Sequence, residues 1–412
     1  MLISSPIYSF PYLVFLLYLV VLMFVEYKYI SQDKDIRIIR WATIAGFIFF
    51  FGLRGFVQTD WQVYYQMFDK LPTIWDGGFG SALSDEVLDS FQTDANTGQS
   101  GIELGFIYFN IILKSIFPNY FAFVFINTII DVILLDIFFR RYSSYYVLSF
   151  ILFMALGGCT IEMNLMRNVK AILFFLLSIK YIEQRRILPF MLLNILGLLF
   201  HSSAILFFPL YFILYKVWPK WLLWAIFSGG LLIILFQINF LQPILLLVAD
   251  IVGGRLSVII KLYLVSDLYG TSYDLGLSFF ERVITYILLV VFQNKMIEKN
   301  PRNTIFINVY VLYYIIFFYF TEIMVVIERL SLLFVFSYWI IYPELLALVK
   351  NLYIKWLFMT SIVLYSCLKI VSMNSNIFSK YDNLLFGIES YEVRKQRTEN
   401  YFDDFINPDL NF

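Results

Sequence analysis

Apolar runs recur through the whole chain, at residues 7–25, 41–56, 119–139, 144–160, 164–182, 187–200, 204–216, 221–240, 277–293, 304–320, 330–349 and 356–373. A hydrocarbon core offers no water to peptide groups, so a segment within it must close its hydrogen bonds internally, and runs of this kind do so as helices. The chain therefore reads as an all-α polytopic membrane protein with about 12 transmembrane helices. With 61% hydrophobic and 15% charged residues it is no ordinary soluble domain. The balanced net charge gives no nucleic-acid footprint. Cys159 and Cys367 both lie in apolar runs, and with one histidine they provide neither a disulfide framework nor a metal site. No cofactor is indicated. The first run lacks a basic leader and a small-residue cleavage site, so it reads as a retained span.

Lys28, Lys34, Arg37 and Arg40 fall on one side with Arg140–Arg141, Arg185–Arg186, Lys216, Lys220, Lys295, Lys299, Arg302, Lys350 and Lys355, which marks that side as cytoplasmic. Both termini then lie outside, in a single integral membrane domain over residues 1–375. The outer face receives a long segment at 57–118, the turn at His201, a second segment at 241–276, and a polar C-terminal tail at 376–412. A full pass by IELGFIYFNIILKSIF, Ile102–Phe117, would invert everything before it; it reads as a re-entrant or interfacial helix stopped by Pro118. The tail is mixed in charge and is expected to be poorly ordered beyond about Ile388.

The only histidine stands where two short apolar runs meet, in LLFHSSAILF. A helix of about 14 residues rises only about 21 Å, short of a roughly 30 Å hydrocarbon core. Two such arms would turn inside the membrane and set His201, Ser202 and Ser203 in an indentation; one long tilted helix with a hydrogen-bonded histidine suits the same residues.

Arginine binds phosphate through a planar fork and keeps its charge in a partly dry site. Arg54, Arg167, Arg255 and Arg329 all fall at outer ends of spans, against the positive-inside bias. A single one of them is most simply a snorkelling or salt-bridged residue; four together call for an anionic ligand such as a lipid-linked pyrophosphate. After Arg54, Asp60 and Tyr64 lie one helical turn apart, with Trp61 and Tyr65 on the next face. An acid accepts sugar hydroxyls and aromatic rings stack on sugar faces, although Trp61 and Tyr65 equally suit an interfacial belt and Asp60 an ion pair with Arg54. The adjacent pair Glu281–Arg282 reads as structural.

The order RG…TDW..YY…F at Arg54–Phe68, E.GF..F at Glu103–Phe109, E.N..RN..A at Glu162–Ala171, FHSSA at Phe200–Ala204 and ERL at Glu328–Leu330 resembles the EpsG-like branch of Wzy-type polysaccharide polymerases. Asn168 stands where the family usually has glutamine. The resemblance implies a GT-C-like membrane glycosyltransferase of the bacterial inner membrane, multi-pass, with its site facing the periplasm or cell exterior. It implies undecaprenyl-pyrophosphate-linked oligosaccharide repeat units as substrates, membrane lipid around them, and a chain-length regulator protein as a partner.

On that footing Arg54, Arg167 and Arg329, with Arg255 as a weaker member, would hold pyrophosphate. His201 would be the base or a hydrogen-bond donor, Asp60 the alternative base, and Tyr64, Glu103 and Trp61 would contact the acceptor, without a metal. A lipid-linked oligosaccharide flippase and an O-antigen ligase are the competing classes. The flippase should carry charge along a path through many spans, and the ligase would share nearly all of this chemistry.

Overall fold

The computed structural model describes residues 4–76, 80, 101–252, 276–322 and 324–406. In chain order the helices are α1 (Phe10–Ser31), α2 (Arg37–Phe47), α3 (Trp61–Lys70), α4 (Leu104–Ile116), α5 (Tyr120–Tyr142), α6 (Tyr146–Phe153), α7 (Cys159–Met163), α8 (Met166–Glu183) and α9 (Ile187–Phe200). A 3-10 helix at Ser202–Phe212 follows. Then come α10 (Lys220–Leu235), α11 (Leu241–Val252), α12 (Leu277–Lys299), α13 (Asn303–Tyr319), α14 (Met324–Phe334), α15 (Phe336–Leu348), α16 (Leu352–Asn374) and α17 (Tyr391–Ile406). Among the described residues there is no strand, only isolated bridges such as Arg54 with Asn383.

Every one of the twelve apolar runs coincides with helical structure, but not every helix is long enough to cross a bilayer. Among the described residues five helical stretches pass on length and hydropathy, namely Pro6–Ser31, Tyr120–Tyr142, Tyr146–Met163, Leu277–Lys299 and Leu352–Asn374. The pair Ile327–Phe334 and Phe336–Leu348, bent by 46°, makes a sixth if it counts as one span. α4, α9, α10, α11, α13 and the 3-10 helix are apolar but short. At about 1.5 Å per residue they rise roughly 15–26 Å. Among the described residues five or six helices are thus long and apolar enough to cross a membrane, and the remaining apolar runs form shorter helices. Ile102–Phe117, expected as a helix apart from the spans, is one of these short elements, α4.

Several helices are interrupted where polar work is done. α2 runs into a π-helical turn at Ile48–Gly52 just before Arg54, and a second such turn, Met154–Gly158, joins α6 to α7. In the latter Gly157 takes φ +81°, a conformation that glycine adopts without a Cβ clash.

The described residues fall into two compact units, one of residues 1–181, 186–208 and 349–412, the other of 182–185 and 209–348. In the first, α1 packs on α6 and α16, and α4 on α9. Buried Glu26 accepts from the backbone N–H groups of Tyr146 (2.7 Å) and Val147 (3.0 Å), placing a carboxylate at the start of α6 where the helix dipole favours it. Asp136 holds Arg40 (3.3 Å), Arg140 (3.1 Å) and the Tyr146 hydroxyl (2.9 Å).

The C-terminal tail departs from the expected disorder. α17 begins at Tyr391, and Arg394 and Thr398 are buried. Glu389 gathers Lys380, Arg394 and Arg397 around one carboxylate, while Tyr391 stacks on Tyr65 with ring centroids 4.7 Å apart. Burial pushes the Glu389 carboxyl up, yet hydrogen bonds from Arg397 and Lys380 outweigh it and hold the group below the usual carboxylate range. The mixed charge that reads as solvated sequence is here paired with itself.

In the second unit α10, α12 and α13 pack together through hydroxyl-to-carbonyl ties, Tyr286 to Leu223 O and Tyr314 to Phe227 O, both 2.8 Å. Glu281 accepts from Tyr338 and Thr285, and Arg282 stacks on Phe317 at 3.5 Å, so each of these neighbours has its own set of contacts.

Candidate functional site

In the first unit helices begin at or beside four residues that the sequence marks. Asp60 precedes α3, Glu103 precedes α4, Arg167 lies in the first turn of α8, and His201 precedes the 3-10 helix. A helix start presents unpaired N–H groups and the positive end of its dipole. Side-chain contacts tie these starts together into one tract suited to negative charge.

Asn164, in the break between α7 and α8, accepts through Oδ1 from the N–H of Thr59 (3.1 Å) and of Asp60 (2.9 Å). It caps the turn that leads into α3 and so fixes where Asp60 stands. One turn on, burial pushes the Tyr64 hydroxyl up to about 12; the charge of Asp60 adds to the shift and Arg167 opposes it, so the phenol stays protonated between them.

Arg167 donates through Nη1 to Glu103 Oε2 at 2.8 Å, with the two side chains 19% and 15% exposed. Glu103 Oε1 accepts the N–H of Ser202, also at 2.8 Å, so one carboxylate bridges a guanidinium and the start of the 3-10 helix. Gly105 makes this reach available. A Cβ there would stand 2.5 Å from the Leu199 carbonyl oxygen, so only a glycine lets the start of α4 lie this close to the end of α9.

The backbone of His201 is extended (φ −156°, ψ 131°), which ends α9 and begins the turn. The stretch is thus two short helices that break at His201 and not one long helix. The N–H of Ser203 donates to His201 Nδ1 at 3.2 Å, and Ser203 Oγ lies 2.7 Å from the same nitrogen and 3.0 Å from Asn168 Oδ1. Nδ1 thus meets both the main-chain N–H and the hydroxyl of Ser203, and Ser203 links the imidazole to Asn168.

Behind the tract is a layer of fully enclosed charge. Arg54 is 3% exposed; its guanidinium donates to Thr128 Oγ1 (3.2 Å), to the Glu162 carbonyl oxygen (3.0 Å) and to the carbonyl oxygen of Phe51. Thr128 donates to Glu162 Oε1 at 2.9 Å, and Glu162 Oε1 is 3.9 Å from Arg54. Lys170 pairs with Asp131, which also accepts from Asn127 Nδ2 at 3.1 Å. Arg54, expected to hold pyrophosphate at the outer end of a span, is enclosed: its donors meet protein oxygens, and an incoming anion would have to displace them. Thr128, Asp131 and Lys170 were not marked in the sequence, although a charged side chain inside an apolar run, as at Asp131, is itself a signal of a paired or functional group.

Two other expectations change with burial. The Trp61 and Tyr64 rings are both 3% exposed and belong to a core cluster with Phe56, Met67, Phe68 and Phe106. Each contributes roughly 1.5–3 kcal/mol of apolar burial there, and neither ring face is open to a sugar. Asp60 and His201 are half-buried. Arg329 belongs to the second unit, exposed on α14, and Arg255 lies outside the described residues. Among the described residues no group of three or more metal-ligating side chains comes together.

The EpsG family matches residues 37–384, most of the chain, and the protein belongs to that family. No curated protein and no solved structure matches it.

Proposed function

We propose that this EpsG-family chain is a membrane glycosyltransferase of the Wzy type, which joins undecaprenyl-pyrophosphate-linked oligosaccharide repeat units on the outer face of the bacterial inner membrane. The observation that carries the reading is the tract of helix starts holding Arg167, Glu103, Asp60 and His201 within a chain of this family.

In this reaction an acceptor hydroxyl oxygen bonds to the anomeric carbon of the donor. The bond from that carbon to the pyrophosphate oxygen breaks, and undecaprenyl pyrophosphate leaves with the electron pair. The hydroxyl proton must go to a base. The Arg167 guanidinium and the His201 imidazole would stabilise charge on the leaving pyrophosphate, which needs donors and no proton. His201 then acts as donor, and the base role falls to Asp60, the half-buried carboxylate on the turn set by Asn164. Arg54 supports the tract from behind through its contacts with Glu162.

The test is polymer length on a gel, in cells lacking their own polymerase and expressing the intact chain or Arg167→Ala, His201→Ala, Asp60→Asn or Arg329→Ala at matched levels. The expected result is a ladder from the intact chain and single repeat units from the first three variants. Arg329→Ala reports independently on the second unit. Equal ladders from all variants would remove this site. If the intact chain gives no polymer and instead governs which leaflet holds single units, it is a flippase.

A further inference from the structure

The geometry points to a carboxylate exchange at Glu103: this residue holds the place of an anionic ligand, and a phosphate or pyrophosphate group displaces it from Arg167 and from the N–H of Ser202. The inference rests on the polymerase reading only for the identity of the anion.

The two donors that grip Glu103 are those by which proteins hold phosphate, a guanidinium and a main-chain N–H at the start of a helix. The 3-10 helix behind that N–H is 11 residues long. Arg167 is incompletely matched by its resident partner. Glu103 shares Nη1 with the Gly101 carbonyl oxygen (3.4 Å), the Tyr64 hydroxyl also hydrogen-bonds the guanidinium, and Nε is buried with no hydrogen-bond partner. A guanidinium has five donors, and a phosphate with three acceptor oxygens engages more of them than one carboxylate oxygen does. Both side chains remain partly exposed, so a ligand can reach the pair.

Glu103 also has somewhere to go. It sits at the N-cap of α4 yet gives no side-chain hydrogen bond to that helix, because its carboxylate is turned toward Arg167 and Ser202. Once displaced, it can turn back onto the first-turn N–H groups of α4, where a negative charge is favoured. The site therefore stays neutral when empty and exposes a bidentate cation only when an anion arrives to replace the carboxylate.

The experiment measures binding of inorganic pyrophosphate, and of farnesyl pyrophosphate as the lipid-borne form, to the purified full-length chain in nanodiscs. It compares the intact protein with Glu103→Gln, Arg167→Gln and Ser202→Pro. Removing the competing charge should tighten binding by about tenfold in Glu103→Gln. Arg167→Gln should abolish it. Ser202→Pro deletes the N–H at the first position of the helix, where proline is tolerated after an extended residue such as His201, and should weaken binding several-fold. Which of the two probes gains more identifies a lipid-borne or a free anion. Binding to Glu103→Gln that is unchanged or weaker, with melting temperature retained, overturns the exchange and leaves Glu103 a structural pin. If Glu103→Gln melts early, Glu103→Asp decides: a carboxylate one methylene shorter should lose its hold on Arg167 and still bind pyrophosphate more tightly than the intact chain, and weaker binding overturns the exchange. Tight exchange without polymer from purified lipid-linked units would sink the polymerase reading and leave this inference standing; polymer without exchange does the reverse.

Discussion

The enclosed Lys170–Asp131 pair sets a sharp energetic test. Lys170 is 2% exposed, its ammonium pairs with Asp131, and the Phe109 ring centroid lies 5.7 Å from the nitrogen. Lys170→Met keeps most of the stem's volume and removes only the charge. Asp131 then keeps the Asn127 amide at 3.1 Å. Orphaning one member of a buried pair costs about 3–5 kcal/mol. An upper bound comes from the alternative of neutralising the carboxylate, since protonating a group with an ordinary value of about 3.9 at pH 7 costs about 4 kcal/mol. The expected loss is therefore about 3–4 kcal/mol. Removing both charges in Lys170→Met with Asp131→Leu should return stability to within about 1 kcal/mol of the intact chain, because neither desolvation nor attraction then remains. The assay is unfolding of the purified full-length protein in mixed micelles with increasing denaturing detergent, followed by tryptophan fluorescence. A single variant within about 1 kcal/mol of the intact protein, or a double variant whose loss equals the sum of the two singles, would refute the reasoning.

Gly105→Ala places a Cβ against the Leu199 carbonyl oxygen and should cost about 1–3 kcal/mol of overpacking, with faster hydrogen exchange at the Ser202 amide as Glu103 is drawn off it. Asn164→Ala leaves the N–H groups of Thr59 and Asp60 without their acceptor and should cost about 1 kcal/mol, read in the same unfolding assay, while shortening the polymer ladder through a displaced Asp60. Because Glu389 is held below the ordinary carboxylate range, its contribution is present above its unfolded value of about 4.3 and is lost as pH falls through the depressed folded value. Hydrogen exchange over residues 391–400 should therefore stay slow at pH 7 and rise below about pH 4, and Glu389→Gln should raise it already at pH 7.

The twelve helical segments were legible because an apolar run in this setting has one way to satisfy its peptide groups. Their lengths were not, since hydropathy marks where a helix is apolar and not where a cap or a π-helical turn breaks it, as at Ile48–Gly52 and Met154–Gly158. The break at His201 could be anticipated from the shortness of its two arms. Burial was the quantity that local sequence withheld. Arg54 lies between two glycines and close to Asp60, which suggests a rim residue, but the partners that enclose it, Thr128 and Glu162, come from segments 74 and 108 positions away. Trp61 and Tyr64 look like sugar platforms until α4 and α5 cover them. The tail misled for the opposite reason: a stretch rich in charge reads as solvated, and only the placement of Glu389 among three cations turns it into folded structure.

These departures share one physical cause. Charge inside a membrane protein is tolerated where it is matched, and the degree of matching separates two layers in this unit. Arg54 with Glu162 and Lys170 with Asp131 are enclosed, and their donors already meet protein oxygens, so a ligand would gain little by reaching them. Arg167 lies one turn from Lys170 on the same helix, yet it is partly exposed and its Nε meets no acceptor. Of the cations named in this unit's tract and the layer behind it, Arg167 is the one with a guanidinium nitrogen that meets no acceptor, which is the ground for proposing that it receives a ligand. The neighbouring N–H of Ser202 adds a donor without adding charge. On the proposed polymerase reading, an anion bound there would meet one full positive charge and several dipoles, enough to hold a pyrophosphate while its bond to sugar breaks and weak enough to release the lipid afterwards.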